Sequence, residues 1–476
     1  MGVSRLAQRT FDFVDAVSTT DDTEAIRRLL VKSIRRFGLR NFIVCELPIP
    51  GTSLRVHLCD WPDGFLDLYK SKNRHADDPI ARHARERTEP FAWREVDWDH
   101  SEGSRERRFM DEAASFGLED GFAVPVIGVL GEQDVVSVSG PRLKLQAEER
   151  GALHLMCVHA HHAARNHWTV EEEQAYRPDI CNDGVPEAMS WEGASEVAAQ
   201  HVHREGNRRH ASWSAAQRWG SPLSETRAKS ATSTRSVGRR LSASRASSRE
   251  LVPHPDCRIH VVTAENRSLY RDELEAIFRL RHAIYADQRG WDMFRRADGR
   301  QVDRYDTDEA IYLIAIESGR GVVGGCRLFP TTGPALLQEW AGLAGTSNNL
   351  PRSPEVFHFS RLVVAGERRE GALLNRVACT ILTGLQEYAL SENIQQLCAL
   401  SRIYWHSMLL QLGWNPQPLM LPQRYMDHSV ILMTVDISEV AHRKTRLAGG
   451  IKTPVLVRRG ITRPAVTTFA ESSWLS

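Results

Sequence analysis

Four short stretches in the second half of the chain decide its reading: FRLRHAIYADQRGW (residues 278–291), DRYD (303–306), GGCRL (324–328) and FHFSRL (357–362). Around them the periodicity predicts a helix over Tyr270 to Tyr285, strands over Ile311 to Glu317 and Gly321 to Leu328, a strand through EVFHFSRLVV (355–364), and a helix through ALLNRVACTILTGLQEYAL (372–390). Strands alternating with helices imply an α/β core. The four stretches contribute Arg281, Arg327 and Arg361, the acids Asp303 and Asp306, and the aromatics Tyr285 and Trp291.

Arg281 and Tyr285 stand four apart, a spacing that puts both on one helix face. Arginine grips a carboxylate bidentately, aromatic faces attract cations and stack on bases, and acids balance the charge. The set therefore suits a substrate that joins a carboxylate, a sulfonium and an adenine. Taken singly, each residue has a plainer explanation. A lone Trp is more often core, and an Arg–Asp pair is more often a surface ion pair contributing about 0–1 kcal/mol.

The order of the residues carries more than any one of them. Arg, an aromatic four residues on, Gly-Trp, D-x-Y-D, G-x-R-L-x-P-T (325–331), then Ser-Arg closing a strand resembles the LuxI-type acyl-homoserine lactone synthases across about 180 residues. That resemblance implies an acetyltransferase-like (GNAT-like) α/β domain, with Arg281, Trp291, Asp303, Asp306, Arg327 and Arg361 on the family's hallmark positions and Tyr285 where the family usually has Phe. It implies S-adenosyl-L-methionine as substrate and an acyl donor on acyl carrier protein or coenzyme A. The α-amine attacks the thioester, the carboxylate then displaces methylthioadenosine, and no metal or redox cofactor is required. Arg361, Asp303 and Asp306 are thereby assigned to the catalytic group, and Arg281, Tyr285, Trp291 and Arg327 to substrate binding. At the position of the family's usual glutamate base stands His358, whose ordinary pKa of about 6.5 allows general base chemistry but supplies no fixed negative charge. A generic acyl-CoA acetyltransferase would need a glycine-rich phosphate loop. RREGAL (368–373) departs from that pattern at its last position, and Arg368 and Arg369 could instead receive an acidic carrier protein.

In the first half, amphipathic helical segments alternate with apolar runs such as NFIVCEL (41–47) and GFAVPVIGVL (121–130), the mark of a mixed α/β domain. WPDGFLDLYKSKNRHADDPI (61–80), EPFAWREV (89–96) and GFAVPVIGVLGEQDVVSVSG (121–140) resemble the autoinducer-binding domain of LuxR-type regulators over about 160 residues. The resemblance implies a sheet between helices enclosing one acyl-homoserine lactone. Tyr69 would lie near the acyl carbonyl, Asp78 would accept from the ligand amide, Trp93 would stack over the lactone, and Ser137 would add a polar contact. Trp61 falls on an aromatic pocket position. Phe65 replaces the family's Trp, whose indole N–H bonds the lactone carbonyl, so one donor is lost at a cost of about 0.5–1.5 kcal/mol. Read without those contexts, the aromatics would be ordinary core.

At 476 residues the chain exceeds one core, and two domains are expected. Between them, from about 184 to 249, apolar residues thin out and Ser, Arg, Ala and Gly take over. From His201 to Glu250 there are eleven Arg and Lys against three Glu, a composition expected to form a solvated, disordered basic linker. The helix-turn-helix of LuxR-type regulators finds no matching periodicity from Thr169 to Glu250, so specific DNA binding is not expected. The organisation is accordingly 1–168 autoinducer-binding α/β/α sandwich, 169–255 linker, 256–445 synthase domain and 446–476 tail. Eight scattered cysteines without a CxxC pair, a net charge of +1, and no signal peptide or spanning segment point to the cytoplasm and away from membranes. A homodimer is compatible with the sequence but not demanded by it. The alternatives are a non-catalytic lactone-binding protein with a defective synthase half, or the remnant of a LuxR-type regulator.

Overall fold

The computed structural model describes residues 4–48, 54–129, 131–166, 256–333, 350–366, 374–425 and 428–460. The expected linker and RREGAL lie outside the described residues. In the first half the elements run α1 (Arg5–Ser18), α2 (Thr23–Ile34), β1 (Asn41–Glu46), β2 (Arg55–Cys59), α3 (Phe65–Ser71), α4 (Pro79–Arg85), β3 (Phe91–Ala92), α5 (Arg105–Ser115), β4 (Asp120–Ile127), β5 (Gln133–Gly140) and α6 (Ala147–Asn166). The strands form one antiparallel sheet in the order β2-β1-β5-β4-β3. Side chains alternate across it, as a pleated strand requires. Val124, Val126, Val136 and Val138 pack with α1, α2 and α6, whereas Ala123 and Val135 pack with α3, α4 and α5. This is the expected α/β/α sandwich.

In the second half the elements are β6 (Cys257–Val262), α7 (Arg271–His282), β7 (Ile311–Glu317), β8 (Gly321–Pro330), β9 (Val356–Val364), α8 (Arg376–Ser391), β10 (Gln396–Arg402), α9 (Tyr404–Gln411), β11 (Gln417–Pro418), β12 (Gln423–Tyr425), β13 (His428–Asp436), α10 (Glu439–Ala448) and β14 (Leu456–Val457). They build a mixed sheet, β11-β13-β10-β9-β8-β7-β6-β14, with β12 paired to β13. Helix α7 covers one face, and α8 covers the other so closely that a Cβ on Gly384 would sit 2.7 Å from the Ile259 side chain. The parallel ladder between β9 and β10 covers only Val356–His358 against Gln396–Cys398. Beyond it β9 stays bonded to β8 and β10 to β13, so the sheet opens between them where Ser360 and Arg361 lie. Helix α10 runs through the boundary expected at residue 445. Past it, β14 pairs with β6 and Glu387 accepts from the N–H groups of Val455 and Leu456, so residues 446–460 belong to the synthase sheet rather than to a tail.

The halves pack together through α6. From Gly151 to Ala164 this helix is buried on almost every side, because one face lies on its own sheet and another meets the second half. Ala152 and Leu155 join the synthase core, and Leu410 of α9 joins the sensor core. His159 Nε2 meets His406 Nε2 at 2.8 Å, and Gln411 bonds the N–H of Val129 at 3.2 Å and the carbonyl of Ile127 at 3.1 Å. No helix among the described residues is long and apolar enough to cross a membrane.

Candidate functional site

The polar site of the second half is assembled from three elements and one loop. Arg281 leaves the end of α7, after which the chain widens into a π-helical turn (Ala283–Gln288) that buries Tyr285. Arg327 comes from β8 and Arg361 from β9, while the loop 303–306 supplies both acids. Arg281 holds Asp306 bidentately at 2.9 and 3.0 Å, and Arg327 reaches Asp303 at 2.6 Å and Asp306 at 2.8 Å. Arg361 bonds Asp303 through Nε at 3.1 Å and Nη2 at 2.6 Å. That last contact depends on a backbone irregularity. The β8–β9 register slips between Gly325 and Arg327, and Arg361 adopts φ +56°, a left-handed conformation costing about 1–3 kcal/mol for a non-glycine residue. The bulge aims the guanidinium at Asp303 instead of across the sheet.

Burial opposes the charges, but the pairing prevails. Arg327, Arg361 and Arg281 outweigh the desolvation of Asp303 and hold its carboxyl well below the usual range, and Arg281 and Arg327 do the same for Asp306. Arg281 and Arg327 are correspondingly held protonated. With both acids ionised, three guanidinium groups surround two carboxylates in a site where each arginine is at most 2% exposed. An aromatic wall adjoins it. Tyr285 and Trp291 lie parallel with centroids 5.9 Å apart, and the Arg361 guanidinium is 5.5 Å from the Tyr285 ring. Tyr285 thus joins the site through Arg361 and Trp291, not as a helical neighbour of Arg281.

His358 lies two residues before Ser360 on β9, buried, with its ring 4.5 Å from that of Phe329. Burial first, and the nearby Arg327 second, push its pKa down to about 3, so the imidazole is neutral at any working pH. Three supporting residues were missed in the sequence. Gln301 accepts from Arg281 Nε at 2.6 Å, the Tyr312 hydroxyl donates to Asp306 at 2.9 Å, and Ser360 Oγ meets Arg327 Nε at 3.2 Å. Tyr312, inward on a strand whose run was legible, could have been suspected; nothing in one sequence marks Gln301.

The first half holds a narrow, mostly apolar cavity between its sheet and α3, α4 and α5. All six residues expected there line it: Trp61, Phe65, Tyr69, Asp78, Trp93 and Ser137. Asp78 is fixed by local sequence, since it caps α4 ahead of Pro79 and accepts from the N–H groups of Ile80 (2.8 Å) and Ala81 (3.2 Å). The Tyr69 hydroxyl donates to its other oxygen at 2.9 Å. Burial raises the Asp78 pKa despite these bonds. Trp93 donates from Nε1 to Ser137 Oγ at 3.1 Å and lies so close to β4 that a Cβ on Gly121 would come within 2.5 Å of its ring. On the opposite face of the sheet His57, Asp134 and His161 bring ligand-type atoms together, but Arg165 also pairs with Asp134 at 3.4 Å, which fits an internal ion-pair network.

A mixed sheet opened beside a charged pocket, next to a second sheet enclosing an apolar cavity, defines a group-transfer domain joined to a small-molecule-binding domain. Residues 265–445 match the autoinducer synthase family, and residues 22–164 match the autoinducer binding domain. The chain is 39% identical over 179 residues to the isovaleryl-homoserine lactone synthase of Bradyrhizobium diazoefficiens, covering 38% of this chain and 80% of that relative. It is 28% identical over 193 residues to the transcriptional activator protein BjaR1 of the same organism, covering 40% of this chain and 78% of the relative. The solved structure of the CoA-dependent acyl-homoserine lactone synthase BjaI with SAM and isopentyl-CoA is 34% identical and covers 44% of this chain and 96% of that one, with a TM-score of 0.40. The chain belongs to the acyl-homoserine lactone synthase family: it is an acyl-homoserine-lactone synthase of quorum-sensing signal production that also carries an autoinducer-binding domain.

Proposed function

We propose that the second half makes its lactone from S-adenosylmethionine and an acyl thioester, releasing methylthioadenosine, and that the first half binds a lactone of the same class. The observation that carries the reading is the buried cluster of Arg281, Arg327 and Arg361 around Asp303 and Asp306 beside the Tyr285–Trp291 wall. The guanidinium groups receive the substrate carboxylate, and the ring faces receive the sulfonium and adenine. The amine nitrogen forms a bond to the thioester carbonyl carbon as the carbon–sulfur bond breaks, and the thiolate leaves with one of the amine protons. The carboxylate oxygen then displaces the neutral thioether from the γ-carbon, closing the ring without further proton transfer. His358, neutral throughout, accepts a hydrogen bond from the amine nitrogen and orients it, and the second amine proton stays on the amide nitrogen of the product. In the first half, Asp78 accepts from the ligand amide and Trp93 covers the lactone.

A short branched acyl group is the first donor to test, because the relative at 39% identity is named for isovaleryl. Purified full-length protein is mixed with S-adenosylmethionine and either isovaleryl-CoA or isovaleryl-acyl carrier protein, and free thiol, methylthioadenosine and lactone are followed by mass spectrometry. Equal amounts of all three with one donor are expected. Thiol release without methylthioadenosine, or no release above an Arg361→Ala control with any acyl chain from four to twelve carbons on either carrier, would overturn the reading.

A further inference from the structure

The cavity of the first half keeps its polar groups in internal pairs with one exception. Tyr69 is bonded to Asp78, whose other oxygen is committed to the start of α4, and Trp93 is bonded to Ser137. Trp61 also lines the cavity, and its Nε1 is buried without a hydrogen-bond partner. Leaving such a donor unmade costs about 1–3 kcal/mol, so a buried N–H at the wall of a cavity signals an acceptor supplied from outside the protein. The neighbouring rings hold it in place: Trp61 stands edge-on to Phe65 at 5.0 Å and to Tyr69 at 5.3 Å. Phe65 itself offers no polar atom.

We infer that the Trp61 indole N–H donates to a carbonyl oxygen of the bound acyl-homoserine lactone and supplies the donor that Phe65 lacks. The inference rests on the proposed ligand of this cavity and adds which atom of the protein recognises it. Trp61→Phe removes the donor while keeping an aromatic ring in contact with Phe65 and Tyr69, whereas changes at Tyr69 or Ser137 would first break pairs the protein already makes. The inference also fixes the chemistry of the ligand at this point as an acceptor, so an analogue that places a methylene there should be insensitive to the substitution.

The test is isothermal titration of full-length wild type, Trp61→Phe and Trp61→Phe/Phe65→Trp with acyl-homoserine lactones of four to twelve carbons. Two analogues accompany them, one without the lactone carbonyl and one with the amide carbonyl reduced. Trp61→Phe should weaken binding about tenfold. One of the two analogues should bind wild type and variant equally, which identifies the carbonyl, and the double variant should recover part of the loss. The 15N-labelled Trp61 indole resonance should shift on binding, which a merely packed ring would not do. Equal affinities of wild type and Trp61→Phe for the full ligand, in variants with matching thermal midpoints, would overturn the assignment of Trp61 alone. Absence of binding by wild type to every lactone would overturn the ligand class itself.

Discussion

The two halves bury charge in opposite ways. In the synthase half Asp303 and Asp306 are surrounded by three guanidinium groups, and although burial works against them their carboxyls are held below the ordinary range. In the sensor half Asp78 faces an apolar cavity with a tyrosine hydroxyl and two backbone N–H groups, and burial raises its pKa in spite of them. Hydrogen bonds from neutral donors soften desolvation, while formal counter-charges reverse it. The difference matches the ligand chemistry: a charged, zwitterionic substrate needs standing charges, and a neutral amide needs one acceptor in an apolar wall.

The largest effect should come from breaking the charged side of this comparison. Asp303→Asn keeps the shape of the side chain but leaves Arg327 and Arg361 facing a neutral group, and removing one partner of a buried pair costs about 3–5 kcal/mol. Urea unfolding of the full chain should show that loss, and turnover should fall by about 10²–10³-fold as the arginines lose their set orientation. Wild-type stability or rate in this variant would mean that the cluster is not one unit. The sign with pH follows from the lowered carboxyls. Their contribution is present above the unfolded value of about 3.9 and is lost only as pH falls through the lower folded values, so this cluster resists mild acid.

Asp78 predicts the reverse. Its raised pKa means that the folded state takes up a proton before the unfolded chain would, so the carboxylate form costs stability at neutral pH and acidification relieves that cost. Ligand binding runs the other way, because an amide N–H prefers the charged acceptor. Lactone affinity should therefore fall as pH drops through the raised Asp78 value, and Asp78→Asn should weaken binding by about 1.5–3 kcal/mol and flatten that dependence. Calorimetry at several pH values checks both; a pH-independent affinity in wild type would place the ligand away from Asp78.

Much of both sites was legible from residue order. The arginines, acids and aromatics from Arg281 to Arg361 sit on local signals, and DDP announces a capped helix whose first residue turns an oxygen into the cavity. What escaped depends on contacts between distant segments. Gln301 is one polar residue in a loop until α7 brings Arg281 against it. The left-handed Arg361 arises from a β8–β9 slip that alternation cannot reveal. The residues past 445 looked like a tail because Leu456 and Val457 make a strand of two residues, too short to leave a period-2 pattern. The stretch ALHLMCVHAHHAAR (152–165) spreads small, apolar and histidine side chains over every face with one arginine only at its end, which could have signalled a second partner before α9 was seen against it.

The smallest expected effect falls on the residue that departs most from the family pattern. A general base contributes about 10²–10⁴-fold when its pKa lies near the working pH. His358, pushed down to about 3 by burial and then by Arg327, binds a proton too weakly to act in that manner. Because the folded value is depressed, turnover should show no titration limb near pH 6.5 from this group, whereas stability should decline as pH falls below the unfolded value of about 6.5, since only the unfolded chain then takes up the proton. His358→Ala should lower turnover by no more than about tenfold, through the lost acceptor and the gap left against Phe329. His358→Gln, which keeps an acceptor, should recover part of it. The decisive comparison is His358→Glu, which restores the family's usual acid two residues from Ser360. If turnover rises, the histidine is the slow element of an otherwise complete site. If it falls along with stability, the pocket between Phe329 and Arg327 has been shaped around a neutral ring, and the amine proton leaves by the departing thiolate and water.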